Sequence, residues 1–329
     1  MAPRFVDEVT KSSSQVPEWL RMAIECGGTM AKGIFVGLST IDVVYRVDEF
    51  PSTNSKVVAR SQDVFAGGPA TNAAIAFRHL GGEAKLVTAV GSHSLGSAIV
   101  GELRRNSIQL IDLNSHFDRA PVISSIAVRR NGERSVVSAN ATRVSVPPAQ
   151  VDEAVLKQAS IVLVDGHYMQ ACEAWSMAAR GRGIPVVLDG GSWKDGTGEL
   201  LQNVDAAICS ADFMPPGCSI ESDVLEYLRG CGISKIAITR GTEPIRYASG
   251  EVCGIVPVPR VESVDTMGAG DIFHGAFCYY FSAGRGFVEA LSEAAKIASE
   301  SCRFHGPREW MKHSNSAGEC LSPRALPSA

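Results

Sequence analysis

The chain of 329 residues lacks the features that would place it in a membrane or on a nucleic acid. No segment reaches the roughly 18 to 20 consecutive apolar residues of a membrane-spanning helix. The chain has 31 basic and 35 acidic side chains, and the basic ones are not grouped into a Lys/Arg block. Because nucleic acids and anionic membrane surfaces select basic patches, this balance predicts neither as a partner and favours a small molecule.

Two common signatures of nucleotide and metal sites are also absent. No Gly-x-x-x-x-Gly-Lys-Ser/Thr string occurs, which disfavours a Walker-type NTPase. The nine cysteines include no Cys-x-x-Cys pair and no zinc-finger spacing, so we expect reduced thiols and no protein-held metal site. Reduced thiols are typical of the cytosol, and the first thirty residues contain no continuous apolar stretch of the kind found in signal peptides. The sequence therefore predicts a cytoplasmic protein.

Length and composition predict one large folded domain with irregular ends. The chain is 45% hydrophobic, close to the average for globular proteins. Residues 1–32 are polar and without clear periodicity, and we expect a disordered leader there. Residues 311–329 are rich in Ser, Pro and Gly, and we expect a disordered tail. The folded domain is predicted at 33–310.

Within this domain, short apolar runs that end in polar or Gly residues alternate with helical stretches. Four such runs are Gly33–Leu38, Ile161–His167, Pro185–Gly191 and Lys235–Gly241. The rhythm predicts an α/β fold with a mainly parallel sheet. Segments at about 43–65 and 120–140 are instead β-rich, and the second contains Asn131-Gly132, a signal for a type I′ hairpin turn. These segments predict a small second sheet projecting from the main domain.

The most informative stretch is Val264–Asp271, which precedes an apolar run typical of a buried helix. Gly268 and Gly270 flank Ala269, so the backbone there can approach a ligand closely. The unpaired N–H groups and the dipole of the helix would favour an anion such as phosphate. Asp271, in the first turn, could accept a proton from a hydroxyl group that attacks this phosphate. The alternative is a tight glycine turn with an aspartate cap.

A second group of candidates lies near the N-terminus. Asp42 follows the first predicted strand, and ligands of open α/β sheets gather beyond the carboxyl ends of strands. Its carboxylate could accept two sugar hydroxyl groups, although a surface turn residue is the alternative. Gly67 and Gly68 lead into a helix whose first turns contain Asn72. The glycines permit close approach to a ligand, and Asn72 offers a donor and an acceptor to hydroxyl groups.

The strings Asp265-Thr-Met-Gly-Ala-Gly-Asp271 and Gly67-Gly68-x-x-x-Asn72 resemble the two signatures of the PfkB/ribokinase family of sugar and nucleoside kinases. The resemblance covers about residues 33–306. It implies a ribokinase-like three-layer α/β/α sandwich with a small β-sheet lid over the sugar. In several family members two lids clasp, and an open sheet edge needs covering, so a homodimer through the lid is expected.

The resemblance also implies a role for each matched residue. Asp271 would be the catalytic base, and the backbone of Gly268, Ala269 and Gly270 would be the anion hole. The residues expected to bind the sugar are Asp42, Gly67, Gly68 and Asn72. Those expected near ATP are Thr239 and Gly241 of a Thr-x-Gly motif, together with Asp265, Thr266 and Gly306. The implied cofactors are ATP and Mg²⁺.

One departure from the family pattern bears on the substrate. Many members carry Asn-x-x-Glu, linked to Mg²⁺ and phosphate, where this chain has Cys209-Ser210-Ala211-Asp212. The replacement is similar to the Val-Ser-x-Asp of ketohexokinases, so the predicted reaction is phosphorylation of a hydroxymethyl group on a ketohexose such as fructose. Two alternatives remain. One is a nucleoside kinase of the same fold, and the other is a non-catalytic regulator that binds a sugar or a nucleotide.

Overall fold

The computed structural model of the chain describes residues 30–139, 146–147 and 150–313. Regular structure begins at Lys32 and ends at His313, so it extends slightly beyond the predicted domain at both ends. The predictions of a disordered leader and tail otherwise concern residues 1–29 and 314–329, which lie outside the described residues. Within the described part, no helix has the length and apolarity needed to cross a membrane.

A nine-stranded sheet forms the centre of the molecule. The strands in chain order are β1 Lys32–Val36, β2 Thr40–Arg46, β3 Ser61–Gly67, β4 Glu83–Thr88, β5 Gln109–Asp112, β6 Ile123–Val128, β7 Arg134–Ser138, β8 Ile161–Val164, β9 Val186–Gly190, β10 Ala206–Ser210, β11 Lys235–Arg240, β12 Glu243–Ser249 and β13 Val252–Val256. The spatial order is β5-β4-β1-β8-β9-β10-β11-β12-β13. The pairs from β5 to β11 are parallel, and β12 and β13 add antiparallel strands at one edge. The prediction of a mainly parallel sheet is confirmed.

Helices cover both faces of this sheet. They are α1 Pro69–His79, α2 Gly96–Arg105, α3 Glu153–Leu156, α4 Met169–Arg180, α5 Thr197–Leu200, α6 Glu221–Gly230, α7 Ala269–Ser282, α8 Phe287–Ser301 and α9 Trp310–His313. Alternate residues of β1 belong to different hydrophobic cores. Phe35 lies in the core that includes residues of α1, α7 and α8, whereas Ile34 and Val36 lie in the core that includes residues of α4 and α6. The predicted three-layer α/β/α arrangement is thus confirmed.

The smaller sheet has the order β3-β2-β6-β7. It confirms the predicted second sheet, with two differences in detail. The second strand of the first segment is Ser61–Gly67 and not Lys56–Arg60, the second β-rich piece that the sequence predicts there. The hairpin turn is not type I′, because among its central residues only Gly132 has a positive φ, of 82°. The Gly132 N–H donates to the Arg129 carbonyl at 3.0 Å. This hydrogen bond and the positive φ are typical of a three-residue hairpin loop with glycine in the left-handed region.

The contact between α1 and α7 positions the candidate site. At Gly275, in the middle of α7, an added Cβ would lie 2.2 Å from the Ala73 carbonyl oxygen of α1. Only a glycine therefore allows the two helices to approach this closely. Nearly every α7 side chain from Ile272 to Cys278 is buried, as the apolar run predicts. The close packing brings the first turn of α7 next to the first turns of α1.

Candidate active site

The N-terminus of α7 has the geometry of an anion site. Gly268 is the cap of the helix and has a φ of 72°, a left-handed conformation that favours glycine. The Ile272 N–H donates to the Gly268 carbonyl at 2.8 Å and so closes the first turn. The preceding amides have no acceptor within the helix, and the Ala269 N–H makes only a 3.3 Å bond to the Thr266 carbonyl. The arrangement can bind the oxygens of a phosphate.

Asn72 and Asp271 meet across the contact between α1 and α7. The Asn72 Nδ2 donates to Asp271 Oδ2 at 2.7 Å. The Asn72 Oδ1 is buried and has no hydrogen-bond partner within the described ranges. A buried acceptor without a partner is costly, so this atom is suited to accept a ligand hydroxyl group. Asn72, which is predicted to bind the sugar, and Asp271, the predicted catalytic base, are therefore in direct contact.

Asp42 lies within β2 and is buried, so it is not a surface turn residue. The Thr40 hydroxyl donates to its Oδ1 at 2.6 Å. Its Oδ2 faces Gly67, where an added Cβ would lie only 2.0 Å away. Burial raises the pKa of the Asp42 carboxyl above its usual range, while hydrogen bonds from Thr40 and Ser124 act in the opposite direction. Gly67 is thus required by the position of this carboxylate.

Gly68 caps α1 with a φ of 93°. An added Cβ at this position would lie 2.2 Å from the Leu38 carbonyl oxygen. The packing of the chain itself therefore requires glycine here, before any ligand is considered. The same approach places the start of α1 beside the loop that connects β1 to β2, and hence beside Asp42.

A cavity of about 600 Å³ opens on the other side of the α7 N-terminus. Of the residues predicted near ATP, it is lined by Thr239, Gly241 and Thr266, and the anion-hole residues Ala269 and Gly270 also line it. The remaining wall is largely apolar and includes Val258, Phe273, Ala295 and Ala298. A mainly apolar cleft with a few polar groups at one end suits a nucleotide base with its phosphates at the helix N-terminus.

Asp265 and Gly306 do not line this cavity. The Met267 N–H donates to Asp265 Oδ1 at 3.0 Å, and the Gly306 N–H donates to Asp265 Oδ2 at 2.9 Å. The buried Asp265 carboxylate thus connects the loop before Gly268 to the loop after α8 and fixes the entry into α7. The contact of Asp265 and Gly306 with the nucleotide stays a prediction.

Asp271 is adapted to hold a proton near neutral pH. Its pKa is raised from 3.8 to about 7, mainly by burial and in addition by the charge of Asp189. The hydrogen bond from Asn72 and the nearby ring of His274 act in the opposite direction. A carboxyl group of this pKa can accept a proton from a hydroxyl group and later release it to water.

The segment that departs from the Asn-x-x-Glu pattern forms a local turn. The Ser210 hydroxyl donates to the Gly191 carbonyl at 2.7 Å and accepts from the Asp212 N–H at 3.1 Å. Among the described residues, no group of three or more His, Cys, Asp or Glu side chains could hold a metal ion.

A buried ion pair that no sequence pattern predicted lies beside the residues expected to bind the sugar. The Arg308 Nε donates to Glu102 Oε1 at 2.8 Å, across 206 positions of the chain. Arg308 also donates to the Ala66 carbonyl at 2.7 Å, and Glu102 Oε2 accepts from the Ala66 N–H at 2.6 Å. The pair therefore fixes the backbone of the residue that precedes Gly67. No local signal in the sequence indicates this contact.

Comparisons with known proteins identify the family and the fold of the chain. The model of the pfkB family carbohydrate kinases matches residues 30–313. The ribokinase of Bacillus subtilis (strain 168) is 25% identical over 293 residues, which cover 87% of this chain and 98% of the relative. A solved structure from Agrobacterium tumefaciens has a TM-score of 0.78 at 24% identity and covers 88% of this chain and 98% of its own. An Arabidopsis thaliana ribokinase, solved in complex with ribose and ATP, has a TM-score of 0.70 at 20% identity and covers 84% and 94%.

Proposed function

The chain belongs to the pfkB family of carbohydrate kinases and is a phosphotransferase with an alcohol group as acceptor, and from this premise we propose that it transfers the γ-phosphoryl group of ATP to the hydroxymethyl group of a ribose-type sugar. One observation carries the proposal. The first turn of α7 separates two sites: Ala269 and Gly270 face the apolar cavity, while Asp271 is bonded to Asn72. A phosphoryl group above this turn would lie between nucleotide and sugar.

The residues divide the reaction between them. Asp42 and the free Oδ1 of Asn72 would hold the sugar hydroxyl groups. Asp271 would take the proton of the attacking sugar hydroxyl group. The oxygen of that hydroxyl group forms a bond to the γ-phosphorus, while the bond between the γ-phosphorus and the oxygen of the leaving ADP breaks. The backbone of Gly268, Ala269 and Gly270 would stabilise the charge that develops on the transferred group. Mg²⁺ bound with ATP would neutralise further phosphate charge.

A ribose-type substrate is supported by the curated relatives, since the similar Bacillus subtilis protein is a ribokinase. The Ser210–Asp212 segment, which resembles ketohexokinases, supports a ketohexose such as fructose as the second candidate. A nucleoside would need an aromatic or apolar surface against its base. The test is ADP release with Mg²⁺-ATP across ribose, deoxyribose, ketohexoses, aldohexoses, fructose phosphates and nucleosides. Turnover with ribose or deoxyribose supports the proposal, and turnover confined to fructose or to a nucleoside would overturn the pentose assignment.

The proton acceptor sets an expected pH dependence. Because burial raises the pKa of Asp271 to about 7, kcat/KM should fall as the pH drops below that value, where the carboxyl group becomes protonated. An ordinary aspartate would leave the rate flat down to about pH 4. The measurement is kcat/KM against pH for the native protein, and a rate that stays flat down to about pH 4 would contradict this assignment.

The outer face of the smaller sheet supports the expected homodimer. Register places Val64, Val43, Ser125 and Val137 in one row across the four strands. Val64 is 50% exposed and Val137 is 74% exposed, so this row of three valines and one serine faces outward. Pairing with a second copy would cover it. Light scattering should therefore find a dimer that Val137→Asp dissociates, and a monomeric native chain would exclude this interface.

A further inference from the structure

His274 lines the cavity expected to bind the nucleotide, and it has an unusual pair of hydrogen-bond partners. Its Nδ1 lies 2.8 Å from the Gly270 carbonyl oxygen, and its Nε2 lies 3.1 Å from the Ile208 carbonyl oxygen of β10. The side chain is only 5% exposed, yet it lines the cavity beside Gly270 and Phe273. Both ring nitrogens of a buried histidine therefore face oxygen acceptors.

This geometry indicates the protonation state of the ring. A neutral imidazole donates from one nitrogen and carries a lone pair on the other. With two carbonyl oxygens as neighbours, a neutral ring would direct that lone pair at an acceptor. The cationic ring donates from both nitrogens and satisfies both contacts. The geometry thus favours a proton on each ring nitrogen.

A buried cation requires a counter-charge, and Asp189 supplies one. Its Oδ2 lies 3.4 Å from the Nδ1 of His274. This oxygen is buried and has no hydrogen-bond partner in the part of the chain that the structure describes. A carboxylate left in this condition is costly unless a charge of opposite sign is near. Asp189 and His274 are therefore placed to form a buried ion pair between the end of β9 and the second turn of α7.

We propose that His274 is a positioning residue for phosphoryl transfer: held as a cation by Asp189, it anchors the Gly270 carbonyl and adds positive charge beneath the anion hole. The inference rests on the proposed function for its catalytic consequence, but not for the charge itself. By bonding to both Gly270 and Ile208, the ring connects the α7 first turn to the central sheet. The peptide that carries the phosphate-binding amides is thereby held in one orientation.

Several other titratable groups surround the pair. On β10 and α7, the thiols of Cys209 and Cys278 are buried and stay neutral, because burial and the charge of Asp189 raise their pKa. Asp271 lies about one turn before His274 and would be favoured as a carboxylate by a cationic ring. Burial and the charge of Asp165 raise the pKa of the Asp189 carboxyl, whereas His274, Lys194 and His167 lower it, His274 most of all.

The charge can be tested without any substrate. In ¹⁵N-detected NMR of the ligand-free protein at neutral pH, His274 should show two protonated ring nitrogens, whereas Asp189→Asn should remove one of these protons. The exposed His116 supplies the comparison signal of a solvent-facing ring, and backbone assignment identifies each signal. A single protonated nitrogen on His274 in the native protein would overturn the proposal, whether or not the protein is a kinase.

The catalytic consequence needs a neutral donor as the comparison. His274→Gln keeps one hydrogen-bond donor but removes the charge, so kcat should fall about tenfold, below the about 10²–10³ of a deleted anion-hole donor. The KM for the sugar should stay within about threefold, because the sugar residues are untouched. A kcat equal to that of the native enzyme would overturn the positioning role, whether or not the KM for the sugar is raised.

Discussion

Asp271→Asn is expected to lower kcat by about 10²- to 10⁴-fold, the range for removal of a general base. Asparagine has the same shape as aspartate but does not accept the proton of the attacking hydroxyl group. Its side-chain oxygen can still accept the hydrogen bond that Asn72 donates to position 271. The sugar KM should therefore change little. The measurement is ADP release with saturating ATP and sugar.

The fold of this variant should be at least as stable as that of the native protein. The native carboxyl group is held where burial disfavours its charge, and a neutral amide removes that cost. Thermal unfolding with and without ATP separates folding from chemistry. An Asp271→Asn protein that turns over as fast as the native enzyme would show that another group takes the proton.

Gly268→Ala is expected to reduce kcat by about 10²-fold, the loss associated with one anion-hole donor. At a φ of 72°, an alanine costs about 1–2 kcal/mol relative to glycine. Its Cβ would also lie 3.3 Å from the Cβ of Pro307. The backbone can relieve both effects only by rotating the peptide that begins α7. Such a rotation turns the anion-hole amides away from the phosphoryl group.

Gly270→Ala is the matched control for this experiment. No atom lies within 4 Å of an added Cβ at Gly270, and its φ is not positive. The melting temperature should therefore be unchanged, whereas that of Gly268→Ala should fall. A loss of ATP affinity in a fully folded Gly270→Ala protein would mean that the nucleotide approaches this backbone closely. If both variants keep native activity, the α7 N-terminus is not the anion hole.

The local patterns predicted much of the site because its key residues lie in short contiguous strings. Gly67, Gly68 and Asn72 span the end of β3 and the first turns of α1, and Gly268 and Asp271 are the cap and a first-turn residue of α7. The backbone conformation of each string depends mainly on glycine, which a sequence displays directly. Apolar runs that end in polar or Gly residues likewise predicted the parallel strands.

The remaining features depend on contacts between distant segments. The pairing of Glu102 with Arg308 joins α2 to the loop before α9, and neither side chain belongs to a recognisable motif. The charge of Asp189 contributes to the raised pKa of Asp271, and the two residues are close together only because α7 packs against β9. Likewise, the bond from Gly306 to Asp265 assigns both residues a structural contact that their motif positions do not indicate. Such effects become visible only in three dimensions.

Proton-coupled ³¹P NMR of the reaction products tests the central claim most directly. The native enzyme would be incubated with Mg²⁺-ATP and ribose, and in parallel with fructose, with Asp271→Asn as the matched control. We predict that a phosphate monoester appears together with ADP, and that its signal is a triplet because the phosphorus is coupled to the two protons of a CH₂ group. The Asp271→Asn sample should form far less product. A doublet from a secondary ester, or ADP formed without any sugar phosphate, would contradict transfer to a hydroxymethyl group.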